Sequence, residues 1–123
     1  MDIIISNSSG KPIYEQITAQ IKANILQGVL KEGDQLPSIR ALANSLGVSV
    51  ITTKRAYSDL EDQGFVHTVQ GKGSFVSSGN KQMLREEQLR RIEGHLGNAL
   101  EEAASVGFEL AELHQLLDAL ALD

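Results

Sequence analysis

Residues 49–55 read SVITTKR and place three hydroxyls, Ser49, Thr52 and Thr53, beside two adjacent cations, Lys54 and Arg55. No carboxylate occurs between Asp34 and Asp59, although the chain as a whole carries a net charge of −5. Hydroxyls donate hydrogen bonds to phosphate or base edges, and Lys or Arg pairs with phosphate or guanine. Such a window suits a polyanion, and Arg40 adds a further cation. Catalytic chemistry is not assembled anywhere. There is no cysteine, hence no thiol nucleophile, thiolate metal site or disulfide. His67, His95 and His114 lack metal-ligand spacing. The acidic pairs Glu86/Glu87 and Glu101/Glu102 fall on a charged helical face. GKGS at 71–74 matches only the end of a phosphate-binding loop, because Val66 stands where its first glycine belongs and Gly73 where Ser or Thr belongs. No enzyme activity, cofactor or metal is expected.

The window has to be positioned by helices. Pro12 suits a first helical turn, and Ile13, Ile17, Ile21 and Ile25 recur every four residues, which predicts a helix over 12–27. A second helix over 38–46 carries the apolar face Ile39, Leu42, Ala43 and Leu46, is capped by Ser38 and is stopped by Gly47. A third, over 50–63, starts at the cap Ser49 and turns Ala56, Leu60 and Thr53 inward. Two helices joined by a short glycine-bearing turn form a helix-turn-helix, whose second helix presents its N-terminal residues to the DNA major groove. There the free N–H groups and the helix dipole also attract phosphate. The hydrophobic period then drops to two. FVHTV and SFVS read as strands around the turn Gln70, Gly71, Lys72, Gly73, which adds a wing with one cation at its tip. Phe65, His67 and Val69 are expected on one face and Val66 and Thr68 on the other. At the start of the chain, the β-prone run 2–5 is expected to pair with a neighbour or to cover an apolar surface.

The chain has 123 residues, of which 41% are hydrophobic but only 4% aromatic, so a core of Leu, Ile, Val and Ala is expected. No secretory signal and no membrane-spanning run is recognisable, and a cytoplasmic location is expected. Charge divides the chain. Residues 1–80 hold seven cations and seven acids, whereas 81–123 hold four cations and nine acids. Two parts with different partners are implied.

In order and spacing, the Ile-rich first helix, G-x-x-LPS-x-R-x-LA, LGVS…T, A-x-x-x-L-x-x-x-G and GKG-x-FV resemble the N-terminal DNA-binding domain of GntR-type transcriptional regulators. The resemblance covers residues 11–77. It implies DNA contacts at Arg40, Ser49, Thr52, Lys54 and the wing Gln70–Gly73. Ser38, Val50, Thr53, Arg55 and Tyr57 complete the candidate set. Position 50 is often a base-reading arginine in the family. Here it is Val50, which could at most pack on a thymine methyl. Arg55 either reaches phosphate or points to solvent. Tyr57 either bonds a phosphate or belongs to the core.

Beyond a small polar linker at 78–81, helical stretches over 82–105 and 108–121 carry apolar stripes with steps of three and four. Leu89, Ile92, Leu96, Ala99, Leu100 and Ala103 lie on the first; Leu110, Leu113, Leu117 and Leu120 lie on the second. A two-helix hairpin cannot bury this surface alone, so a homodimer interface is expected. A tail of this length resembles that of the YtrA-like subgroup. The expected fold is therefore mainly α with a small β wing: a winged helix-turn-helix domain at 1–77, a linker at 78–81 and a helical dimerisation tail at 82–123. The expected function is sequence-specific binding of double-stranded operator DNA by a dimeric regulator, a repressor. The rival readings are a winged-helix protein-interaction module and a ligand- or metal-responsive sensor using the subunit interface. A small-molecule effector is possible but not indicated, since a two-helix tail has little room for a pocket of roughly 300 Å³.

Overall fold

The computed structural model describes residues 1–77 and 81–122. Seven elements follow in order: α1 (Ile13–Leu26), α2 (Ile39–Leu46), α3 (Val50–Asp62), β1 (Val66–Val69), β2 (Gly73–Val76), α4 (Lys81–Ser105) and α5 (Leu110–Ala121). They fall into two compact units, Met1–Leu84 and Arg85–Asp123. Of the expected linker 78–81, residues 78–80 lie outside the described residues, and Lys81 is the first residue of α4.

In the first unit, the four-residue isoleucine spacing of α1 turns Ile17, Ile21 and Ile25 into the core. There they meet Leu42 of α2, Ala56, Tyr57 and Leu60 of α3, Phe65, Val66, Val76 and Leu84. Each fully buried aliphatic side chain stabilises the fold by roughly 1.5–3 kcal/mol. The helix ends are set by the expected caps. Ser38 Oγ accepts from Ala41 N, and Ser49 Oγ accepts from Thr52 N, both at 3.0 Å. Gly47, at φ +69°, closes α2 with Val48 N donating to Ala43 O, the left-handed stop that favours glycine.

The run at 2–5 forms no strand. Ile3 and Ile5 pack against the core. Between them, the Gln20 side-chain amide accepts from Ile4 N (2.8 Å) and donates to Ile4 O (2.7 Å). One turn earlier, Gln16 treats Ser6 in the same way. Two glutamines four residues apart thus supply the hydrogen bonds a neighbouring strand would have supplied.

β1 and β2 pair antiparallel, from Val66 opposite Val76 to Val69 opposite Gly73. Phe65 and Val66 are both buried while His67, Thr68 and Val69 are all exposed, so the two-faced alternation expected for FVHTV does not appear in the burial of this hairpin strand. Phe65 lies before the strand, where its N–H still closes the end of α3 on Leu60 O.

The second unit contains the remainder of α4 and all of α5, joined at Gly107 (φ +75°). α5 buries none of its residues. Leu89, Ile92, Leu96, Leu100, Leu110, Leu117 and Leu120 are all exposed. Ala103 alone among the expected interface residues is buried within the hairpin, so its methyl is already covered and it leaves the interface set. Between the helices runs an open, almost wholly apolar groove of about 360 Å³, walled by leucines and Ala99 with His114. That is larger than the tail was expected to hold, because its leucine walls close on nothing within the unit. No helix among the described residues is long and apolar enough to cross a membrane.

Candidate nucleic-acid interface

In the first unit the candidate contacts lie at the start of α2, on the first turns of α3 and at the tip of the wing. Arg40, Lys54 and Lys72 are exposed, and among the described residues none of them is held in an ion pair. With no carboxylate between Asp34 and Asp59, no acid lies within four residues of Arg40 or Lys54.

The hydroxyls at the start of α3 are largely committed. Ser49 Oγ caps Thr52 N and donates to Thr52 Oγ1 at 2.8 Å. Thr52 keeps its own hydroxyl hydrogen for a partner. Thr53 is 0% exposed and donates to Ser49 O at 3.1 Å. As a DNA contact Thr53 is therefore corrected: the inward helical period, not its hydroxyl, decides where it points. Tyr57 is corrected likewise. It is 4% exposed, and its hydroxyl donates to Pro37 O at 2.7 Å, tying α3 to the approach of α2. Burial pushes its phenol up to about 12. Ser38 stays exposed while capping α2.

Arg55 is exposed but does not stand free. Its guanidinium lies 3.8 Å above the Tyr14 ring of α1, a cation–π contact that orients it while leaving its N–H edge open. Val50 and Ile51 occupy the rest of the first turn of α3 and are exposed.

The wing tip is held from outside the hairpin. The stretch before α2 pairs with β2: Gly33 N donates to Val76 O, Val76 N to Asp34 O and Leu36 N to Ser74 O, at 2.8–2.9 Å. Gln35 stands opposite Phe75, and its side-chain amide donates to Lys72 O at 2.8 Å. Gly71 (φ +79°) and Gly73 (φ +119°) turn the tip. The left-handed backbone at Gly73 favours glycine, and a Cβ there would lie 2.8 Å from Gln35 Nε2 and push that amide aside. His67 sits on β1, hydrogen-bonded through Nδ1 to Ser77 Oγ and stacked on Phe75. Among the described residues no group of three or more His, Cys, Asp or Glu could hold a metal.

Gln35 and Tyr14 were not among the residues singled out from sequence. Gln35 acts on a residue 37 positions away, and Tyr14 on another helix, so no local pattern marks either.

Comparison with known proteins adds three findings. The family model for bacterial regulatory proteins, gntR family, matches residues 13–76. The HTH-type transcriptional repressor YtrA of Bacillus subtilis (strain 168) is 36% identical over 121 residues, covering 98% of this chain and 93% of YtrA. Among solved structures, a GntR family transcriptional regulator from Listeria monocytogenes superposes with a TM-score of 0.76 at 28% identity, over 91% of this chain and 97% of that one. AraR(DBD) in complex with operator ORX1 superposes with a TM-score of 0.56 at 30% identity, over 63% and 96% of the two chains.

Proposed function

The chain belongs to the GntR family of bacterial regulatory proteins, YtrA-like in type, and from that premise we propose that it is a dimeric repressor that reads operator DNA with α3 in the major groove. It is a DNA-binding transcriptional regulator and not an enzyme. The observation that carries the docking is the stretch without a carboxylate between Asp34 and Asp59, on which Arg40 and Lys54 stand exposed, with Lys72 exposed at the wing tip.

In this reading the N-terminus of α3 meets the duplex, and the N–H groups of its first turn aim at phosphate. Thr52 supplies a hydroxyl donor, while Lys54 and Arg40 neutralise phosphates on either side. Arg55, steadied by Tyr14, offers its N–H edge to the backbone. The wing Gln70–Gly73 lies at the adjacent groove, where Lys72 adds a cation and the glycines keep the tip slim enough for close approach. Residues 1–77 act as the DNA-binding domain.

Residues 82–123 dimerise. The leucines of α4 and α5 stand exposed in one chain, and an exposed apolar face of this kind marks an interface. A groove lined almost wholly by leucines suits the leucines of a second copy. A two-fold dimer presents two α3 helices to two half-sites about one helical turn or a multiple of it apart. Repression follows if the operator overlaps a promoter, and the site of action is the cytoplasm.

The test is Lys54→Ala and Arg40→Ala in the full chain against one duplex. Both side chains are exposed, so the fold survives, as circular dichroism will verify. Binding should weaken roughly tenfold for each variant. Because each dimer brings two Lys54, the slope of log K against log salt should flatten by about 2. Unchanged affinity and slope in both variants would remove this docking.

A further inference from the structure

We propose that Val50 and Ile51 form a methyl-reading surface, so that each operator half-site is specified through the 5-methyl groups of thymines in the major groove. The inference rests on α3 being the groove-entering helix and says what that helix reads. Val50 is 46% and Ile51 82% exposed, on the first turn where the groove would be met. Neither belongs to the buried core. Most polar groups around them are already engaged; Lys54 is free of ion pairs among the described residues, and the docking above assigns it to phosphate. Ser49 caps the helix and bonds Thr52, Thr53 is buried on Ser49 O, and the Arg55 guanidinium lies on Tyr14. The hydroxyl hydrogen of Thr52 is what the first turn has left to donate from a side chain.

Guanine and adenine are read in the major groove by bidentate Arg, Lys, Asn or Gln, and cytosine by an acceptor; the thymine methyl is the apolar group displayed there. Two aliphatic side chains cannot satisfy the polar edges of the other bases, but they can cover a methyl. Both are β-branched and stiff at χ1, so little rotamer freedom is lost when they do. Covering one methyl is equivalent to burying one CH2, a factor of about four in affinity. Loss of the same methyl from both half-sites gives roughly fifteenfold.

The experiment uses the full-length chain. A duplex is selected from a random pool, and each thymine of the selected half-site is then replaced by uracil, which removes the methyl and keeps the base pair. One or two adjacent positions per half-site should weaken binding about fourfold each. In the Val50→Ala, Ile51→Ala double variant the preference for thymine over uracil at those positions should fall to about one. Uracil tolerated at every position would overturn the inference. So would a uracil penalty undiminished in the double variant, or a selected half-site without thymine. Enrichment of no duplex at all would overturn the DNA-docking reading itself, a result distinct from a selected operator indifferent to uracil.

Discussion

Gly73→Ala tests the wing most sharply, because two costs meet there. The backbone of Gly73 sits at φ +119°, where a side chain is strained by roughly 1–3 kcal/mol. The added Cβ would also lie 2.8 Å from Gln35 Nε2. That amide is the end of a flexible side chain, so it swings aside and gives up its hydrogen bond to Lys72 O. The bond is exposed and contributes about 0.5–1 kcal/mol. The variant should therefore lose about 1.5–4 kcal/mol, read as a lowered urea midpoint at fixed protein concentration. Gln35→Ala alone loses the bond without the strain and should cost no more than about 1 kcal/mol. Adding Gln35→Ala to Gly73→Ala should cost nothing further, since that bond is already broken. A Gly73→Ala protein within about 0.5 kcal/mol of the parent would refute the described turn. A double variant whose cost is the plain sum of the singles would refute the link between Gln35 and the tip.

Leu96→Asp, at the middle of the exposed stripe of α4, should convert a particle of twice the 13.3 kDa chain mass into one of that mass by sedimentation; an unchanged profile would contradict tail-mediated dimerisation. Tyr57 should make stability fall in alkali. Its folded phenol titrates near 12 against 10 when unfolded, so the unfolded state releases its proton first and stability is lost from pH 10 upward, by no more than about 3 kcal/mol. Tyr57→Phe should abolish that component and cost about 1 kcal/mol near neutrality, where the bond to Pro37 O is lost; an identical alkaline profile in both proteins would disprove it.

The helix-turn-helix was legible because its boundaries are chemical. Ser38 and Ser49 are cap residues, Gly47 is a left-handed stop, and each lies where the apolar period begins or ends. The winged fold could be read for the same reason, and the GntR membership from the resemblance of its motifs in order and spacing. What stayed hidden depends on distant pairs. The carbonyl that Gln35 finds, the ring beneath Arg55 and the strand-like hold of Gln16 and Gln20 on residues 4–6 join segments that no periodicity connects. Thr53 and Tyr57 show a different failure. Each carries a hydroxyl suited to phosphate, yet each sits at an inward position of α3, and helical geometry outranks side-chain chemistry there. Val50 shows the converse, an apolar residue that the period leaves outside.

The central claim is that α3 and the wing bind a particular duplex. Its most direct test is a fluorescence-anisotropy titration of the full chain on the region upstream of its own operon, beside a scrambled duplex, at several salt concentrations. The account predicts tight binding to the native duplex alone, with affinity falling steeply as salt rises, as a few phosphate contacts per subunit require. No binding to either duplex at low salt would contradict it.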